Sequence, residues 1–306
     1  MNKSPKSEIP YRILGRTGEK VSIVGLGGFH IGTQSDEKDS IKIIRTAIDN
    51  GINFLDNSWD YNNGTSEIRM GKALRDGYRN KAFLMTKIDA HTAAAATKQL
   101  NESLQRLQVD TIDLVQFHEV IRITDPEKIF SRGGSMETLL AAQKTGKIRF
   151  IGFTGHKSPD IHLKMLQTAK DNGFVYDTVQ MPLNVMDAHF NSFEKKVIPV
   201  AMKSNTGVLG MKSMGSGLIL KTGTVTAVEC LHYAMNLPIS VVITGCQTME
   251  ILQQAIDVAA SFKPLSAEER AAILSKTAGA GSDGKYERYK SETIYDGTDH
   301  NPQWLG

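Results

Sequence analysis

Phe83-Leu-Met-Thr-Lys87, then an amphipathic run over Ala94–Leu107, then Ile112-Asp-Leu-Val-Gln-Phe-His118: this succession decides the fold. Each short run is largely apolar and closes on an ionisable residue, which suits a strand buried on both faces. The segment between them has the length and spacing of a crossover helix, the connection that parallel strands require. The same unit recurs along the chain. Further strands are expected at Val21–Gly27, Asn53–Asp56, Phe150–Thr154, Thr178–Gln180, Gly207–Met211 and Ser240–Gly245. Helices are expected at Asp39–Asn50, Glu67–Leu74, Ser135–Thr145, Pro159–Asn172, Val225–Met235 and Met249–Phe262. Asn50-Gly51, Thr145-Gly146 and Asn172-Gly173 place glycine just past three helix ends, where a positive φ closes the helix. Eight alternating units predict a closed (β/α)8 TIM barrel, whereas an open doubly wound sheet has fewer strands and a glycine-rich first turn.

A length of 306 residues would allow two domains, yet one barrel also fills it. The reading is one domain over 1–306, with a core over about 11–262 and an extra helix and tail over 263–306. Tyr11-Arg-Ile-Leu14, Gly15-Arg-Thr-Gly18 and Val21-Ser-Ile23 read as an N-terminal β-hairpin that plugs the barrel floor. The tail carries Tyr286, Tyr289, Tyr295 and Trp304 in a polar background, and no function is assigned to it.

Composition narrows the class. Hydrophobic residues at 40% and charged residues at 23% support a large core. The net charge of +3 is spread without a basic block, which argues against a nucleic-acid partner. No apolar run has the length of a membrane span, and the segment Met1–Gly15 has no apolar leader core, so a cytoplasmic enzyme is expected. Cys230 and Cys246 are too few for a disulfide framework or a four-cysteine metal site.

Several motifs fail on inspection. Gly25-Leu-Gly27-Gly28-Phe-His30 lacks the third glycine of a dinucleotide fingerprint, and Gly210–Gly217 lacks the Lys-Ser/Thr pair of a phosphate loop. The eight histidines contain no His-x-His or His-Glu-x-x-His, so no metal site is expected. What remains is Asp56, Lys87 and His118 at three successive strand ends, with Tyr61 five residues beyond Asp56. Singly, a strand-end lysine is a solvated cap, an aspartate a salt-bridge partner and a tyrosine a rim residue. Together they face the C-terminal mouth, where barrel enzymes place their chemistry.

On these residues the chain resembles the aldo-keto reductase family from about Tyr11 to Phe262. The resemblance is carried by Leu14-Gly-Arg-Thr-Gly18, Val24-Gly-Leu-Gly-Gly28, Gly51-Ile-Asn-Phe-Leu-Asp56 with Tyr61, and Lys87. Ser103-Leu-Gln-Arg-Leu107, Asp110-Thr-Ile-Asp-Leu114 with His118, and Gly146-Lys-Ile-Arg-Phe-Ile-Gly-Phe153 complete it. It implies hydride transfer from NADPH, with NADH as second choice, to the carbonyl of a small aldehyde or ketone. Asp56, Tyr61, Lys87 and His118 would form the catalytic tetrad. Tyr61 would donate the proton, and Lys87 would lower its phenol from about 10. Asp56 would hold Lys87, and His118 would orient the substrate oxygen.

The same resemblance implies a cofactor site. Gly28 and the Thr154-Gly155-His156 turn lie beside the nicotinamide, with His156 standing in for an absent amide side chain. Gln180 bonds the carboxamide, and Met211 covers the ring where many members have an aromatic. Lys212 and Met214-Gly215-Ser216-Gly217-Leu218 wrap the pyrophosphate. Gly245, Gln247, Thr248, Gln253 and Gln254 lie where the adenosine phosphate is gripped, although Gly245 to Phe262 contains no lysine or arginine. Phe29, His30, Trp59, Phe117 and Met186 are expected to line an apolar substrate mouth. Two other readings are kept: a nucleotide-sensing interaction module of this fold, similar to potassium-channel β subunits, and an aldolase using Lys87 as a Schiff base.

Overall fold

The computed structural model describes residues 8–306. Tyr11–Ile13 (β1) and Lys20–Ser22 (β2) pair antiparallel, with Tyr11 opposite Ser22. Eight parallel strands then close a barrel in chain order: Val24–Gly27 (β3), Phe54–Asp56 (β4), Phe83–Ile88 (β5), Ile112–Phe117 (β6), Ile148–Thr154 (β7), Thr178–Pro182 (β8), Gly207–Met211 (β9) and Val241–Gly245 (β10), which returns to β3. The TIM barrel and its N-terminal hairpin are as expected, although several strand ends shift by one or two residues and one expected run is split. The run Val21–Gly27 divides at Ile23, one part pairing in the hairpin and the other in the barrel.

The hairpin does plug the floor. Leu14 and Val21 are fully buried against Phe54, Phe83, Met85, Leu114, Leu209 and Val241 inside the barrel. A second core layer lies between the strands and the helices. Strand alternation sorts residues between the layers: on β6, Leu114 joins the inner cluster while Val115 and Phe117 join the outer one. Phe117 therefore turns away from the mouth, meets Tyr176 edge-on at 6.4 Å, and is not a pocket residue. Met186, also expected at the pocket, is fully buried in the same outer layer.

The C-terminal segment is a built cap. Its helix runs over Ala267–Gly281 and starts with a Ser266/Glu269 capping box. The chain then crosses the C-terminal mouth. Lys290, buried, donates to Asp187 (2.7 Å), Glu287 (2.9 Å) and the Phe190 carbonyl (2.8 Å). The Glu119 carboxylate accepts from the backbone N–H groups of Gly297 (3.0 Å) and Thr298 (2.7 Å). Trp304 meets Trp59 edge-on at 5.7 Å, and the His91 N–H donates to the Leu305 carbonyl at 2.8 Å. Among the described residues no helix is long and apolar enough to cross a membrane.

Candidate active site

Parallel pairing carries the ends of β4, β5 and β6 to one rim, so Asp56, Lys87 and His118 arrive side by side. Tyr61 opens a short turn over Tyr61–Gly64, which needs left-handed backbone at Asn62 and Asn63, a conformation asparagine tolerates. Lys87 is 1% exposed and central. Its ammonium ion-pairs with Asp56, donates to the Asn57 carbonyl at 2.7 Å and donates to the Tyr61 hydroxyl at 3.2 Å. Among the described residues the Tyr61 O–H has no acceptor, which leaves its proton free for a ligand. The structure thus brings all four expected residues together.

The electrostatics differ from expectation. Burial, then Asp56, Asp60, Glu119 and Asp89, push the Tyr61 phenol well above its ordinary value. The Lys87 ammonium, itself paired with Asp56, does not outweigh them. Tyr61 is held as the protonated phenol.

His118 is likewise not a lone histidine. Its Nδ1 lies 3.0 Å from Asp89 Oδ1, 3.2 Å from Asp60 Oδ1 and 3.1 Å from Ser58 Oγ. Burial opposes charge on the ring, yet the two carboxylates outweigh it and raise His118 to about 10. Burial and the Asp60 charge raise Asp89. Sequence reading missed both roles. Asp89 follows Lys87 by two, so strand alternation already placed it on the interior face. These three donor atoms also lie close enough to hold a small cation, and a proton on Nδ1 fills the same position.

The cofactor residues separate into two groups. Gln180 donates from Nε2 to Asp56 Oδ2 at 3.2 Å, and its buried Oε1 is left without a partner. Thr154 reaches Met211 Sδ at 3.9 Å, so hydroxyl, amide oxygen and thioether share one wall of the mouth. An unsatisfied buried acceptor is costly, and a carboxamide N–H would relieve it. Those side chains fit a nicotinamide. His156 Nε2 is bonded to Asp296 of the cap at 2.9 Å, which leaves its Nδ1 alone to stand in for the missing amide. Gly155 has no room for a side chain, since a Cβ there would sit 2.3 Å from the Val120 carbonyl. Gly28 is packed equally tightly on the Asp56 carbonyl. Gly245 makes space for the His30 ring.

Lys212, Ser216 and two flanking glycines, Gly215 and Gly217, have positive φ, which turns the loop after β9 sharply through Met214 and Leu218. Beyond β10, Gln247, Gln253 and Gln254 are exposed, and Thr248 caps the helix Met249–Ala260. Gln253 bonds Asp257 one turn on at 2.7 Å. Of the expected pocket residues, Phe29 and His30 do stand at the mouth. Phe29 is 52% exposed and meets Tyr61 edge-on at 5.5 Å. Trp59 instead leans on the cap and donates to Glu102 at 2.7 Å.

A barrel with ionisable side chains gathered at its C-terminal mouth defines an enzyme-type scaffold. Residues 23–228 match the model of the aldo/keto reductase family, and the chain belongs to that family of oxidoreductases, whose members use nicotinamide cofactors. It is 32% identical over 232 residues to L-galactose dehydrogenase of Arabidopsis thaliana, covering 71% of this chain and 69% of that protein. It is 29% identical over 229 residues to the uncharacterized oxidoreductase YrpG of Bacillus subtilis, covering 68% of each. The holo form of aldo-keto reductase AKR11C1 from Bacillus halodurans superposes with a TM-score of 0.75 at 22% identity, over 88% of this chain and 96% of that one, and so shares the fold.

Proposed function

We propose that the protein reduces an aldehyde or ketone to an alcohol at the expense of NADPH, with NADH as a second donor. The observation that carries this reading is the Lys87 ammonium in contact with both Asp56 and the Tyr61 hydroxyl. A nicotinamide bound between Thr154, Gln180 and Met211 would supply the hydride. Tyr61 holds the proton that the developing alkoxide takes up. Lys87 fixes the phenol oxygen from below, and Asp56 fixes Lys87. His118, charged through Asp60 and Asp89, orients the carbonyl oxygen and stabilises negative charge as it forms. Phe29 and His30 flank the entrance.

Oxidation of NADPH and NADH on adding a reactive aldehyde such as 4-nitrobenzaldehyde tests the reading. Turnover that survives chelation with EDTA is expected, and loss on chelation would reassign the Asp60–Asp89–His118 group to a cation. Tyr61→Phe should lower kcat by more than about tenfold, a barrier change above roughly 1.4 kcal/mol, with cofactor affinity nearly unchanged. A variant retaining more than that fraction removes Tyr61 from the mechanism. Cofactor binding with no turnover of any carbonyl would favour the sensing module.

A further inference from the structure

We infer that Lys212 is an anion-recognition point on the substrate side of the mouth, so that the carbonyl substrate carries a carboxylate or phosphate group. The inference rests on the carbonyl-reductase reading above and names its substrate class. Lys212 follows β9 with φ +54°, and Asn184 Nδ2 donates to its carbonyl at 3.3 Å. Its ammonium lies 5.3 Å from the ring centres of both Tyr289 and Tyr295, two residues of the cap. Among the described residues the ammonium itself has no hydrogen bond and no ion pair.

Its neighbours are all engaged. Lys87 is held by Asp56, Lys290 by Asp187 and Glu287, and Lys157 by Asp296 and the Glu292 carbonyl. The carboxylates close enough to influence Lys212 are also spent, Glu119 on two backbone N–H groups and Asp296 on His156 and Lys157. A cation half-buried between two rings has lost part of its water without gaining a counter-charge, and cation–π attraction restores only some of that loss. An anionic ligand oxygen would complete the site.

The direction of the side chain favours the substrate over the cofactor's pyrophosphate. Tyr289 donates to Glu287 and bonds Asn184 beyond β8, while Tyr295 precedes the Asp296 that pairs with His156 beyond β7. The ammonium is therefore carried under the cap. Burial, with Lys87 adding to it against Glu119 and Asp296, lowers Lys212 to about 8. Burial first and then the Lys212 charge also lower His30, whose ring meets Phe29 at the mouth. Lys212 is charged at neutral pH and lies under the cap, within electrostatic reach of Lys87 and of Glu119, the residue after His118.

The test compares kcat/KM for 3-carboxybenzaldehyde against its methyl ester, and for glyceraldehyde 3-phosphate against glyceraldehyde. At least one charged member should be preferred by about tenfold or more, and which pair shows it distinguishes carboxylate from phosphate. Lys212→Met should collapse that ratio towards one, while Lys212→Arg should keep most of it. Affinity for NADPH and NADH, read by fluorescence in the same variants, separates the cofactor. A ratio unchanged in Lys212→Met overturns the inference, and a loss confined to cofactor affinity moves Lys212 to the pyrophosphate. Calorimetry with isophthalate and inorganic phosphate gives a readout independent of turnover. Binding by the wild type that weakens about tenfold in Lys212→Met supports the site even if no aldehyde is reduced. Absence of both binding and charge preference overturns it.

Discussion

At the scale of single residues, two carboxylates on one imidazole nitrogen change what His118 can do. A neutral histidine only accepts or donates at a substrate oxygen, whereas the imidazolium brings a full charge to the developing alkoxide. With Asp60 and Asp89 present, charge persists up to about pH 10. Asp60→Asn removes one carboxylate and leaves burial, which lowers a histidine, less opposed. The alkaline limb of kcat/KM for reduction should therefore move at least about one unit to lower pH, roughly 1.4 kcal/mol of lost interaction. An unmoved limb would show that charge on His118 is not used. Lys87→Met is a harsher change, because Asp56 would stay buried with only Gln180 as partner. It should destabilise the fold by about 3–5 kcal/mol in chemical denaturation, in addition to stopping turnover. The cluster of Asp56, Tyr61, Lys87 and His118 was legible because each member ends or follows a strand. Asp60 was not, since an acid in a loop reads as solvated until its imidazole partner is brought to it.

At the scale of elements, the barrel was legible and the cap was not, for one physical reason. Strands and helices announce their buried faces by periodicity. The cap is fixed instead by polar contacts between distant segments: Lys290 with Asp187, Glu119 with Gly297 and Thr298, and His156 with Asp296. Such pairings leave no local pattern. Phe117 was misplaced by the opposite error, an apolar residue beside His118 assigned to the face that alternation denies it. Lys290→Met should release the cap, because Asp187 and Glu287 would be left buried without their cation. The cost, nominally about 3–5 kcal/mol, is limited by the free energy of detaching the segment. Limited proteolysis should cut between residues 282 and 306 while the barrel survives, with KM for the carbonyl raised. A variant as protease-resistant as the wild type would show that the cap is held by other contacts.

At the scale of the whole molecule, cofactor choice is a balance of charge between the loop after β10 and the rest of the barrel. Gly245 to Phe262 offers no lysine or arginine and includes the exposed Glu250. A Thr248 hydrogen bond first, and the charge of Lys42 from the neighbouring helix Glu37–Asp49 among the weaker causes, lower Glu250. Lys42 is thus a basic residue within electrostatic reach of this corner, and Glu250 already draws on it. Neutral hydrogen bonds from Thr248 and Gln254 to a bound cofactor would contribute about 0.5–1.5 kcal/mol each, against 1.5–3 for a bond to a charged group. NADPH should therefore be preferred only weakly. Thermal or chemical unfolding with each cofactor at equal excess reads this directly, since a ligand stabilises the folded state by RT ln(1 + [L]/Kd). The NADPH advantage should be near 1–2 kcal/mol, about five- to thirtyfold in affinity. Arginine at Gln253 would face Asp257 one turn on, so Gln254→Arg is the better probe. It should widen the advantage by about tenfold at low salt and lose much of that gain at high salt, because an exposed ion pair is screened. A wild-type advantage above about 4 kcal/mol would place a cation on the 2′-phosphate, with Lys42 drawn away from Glu250, and Lys42→Met would then be expected to abolish it.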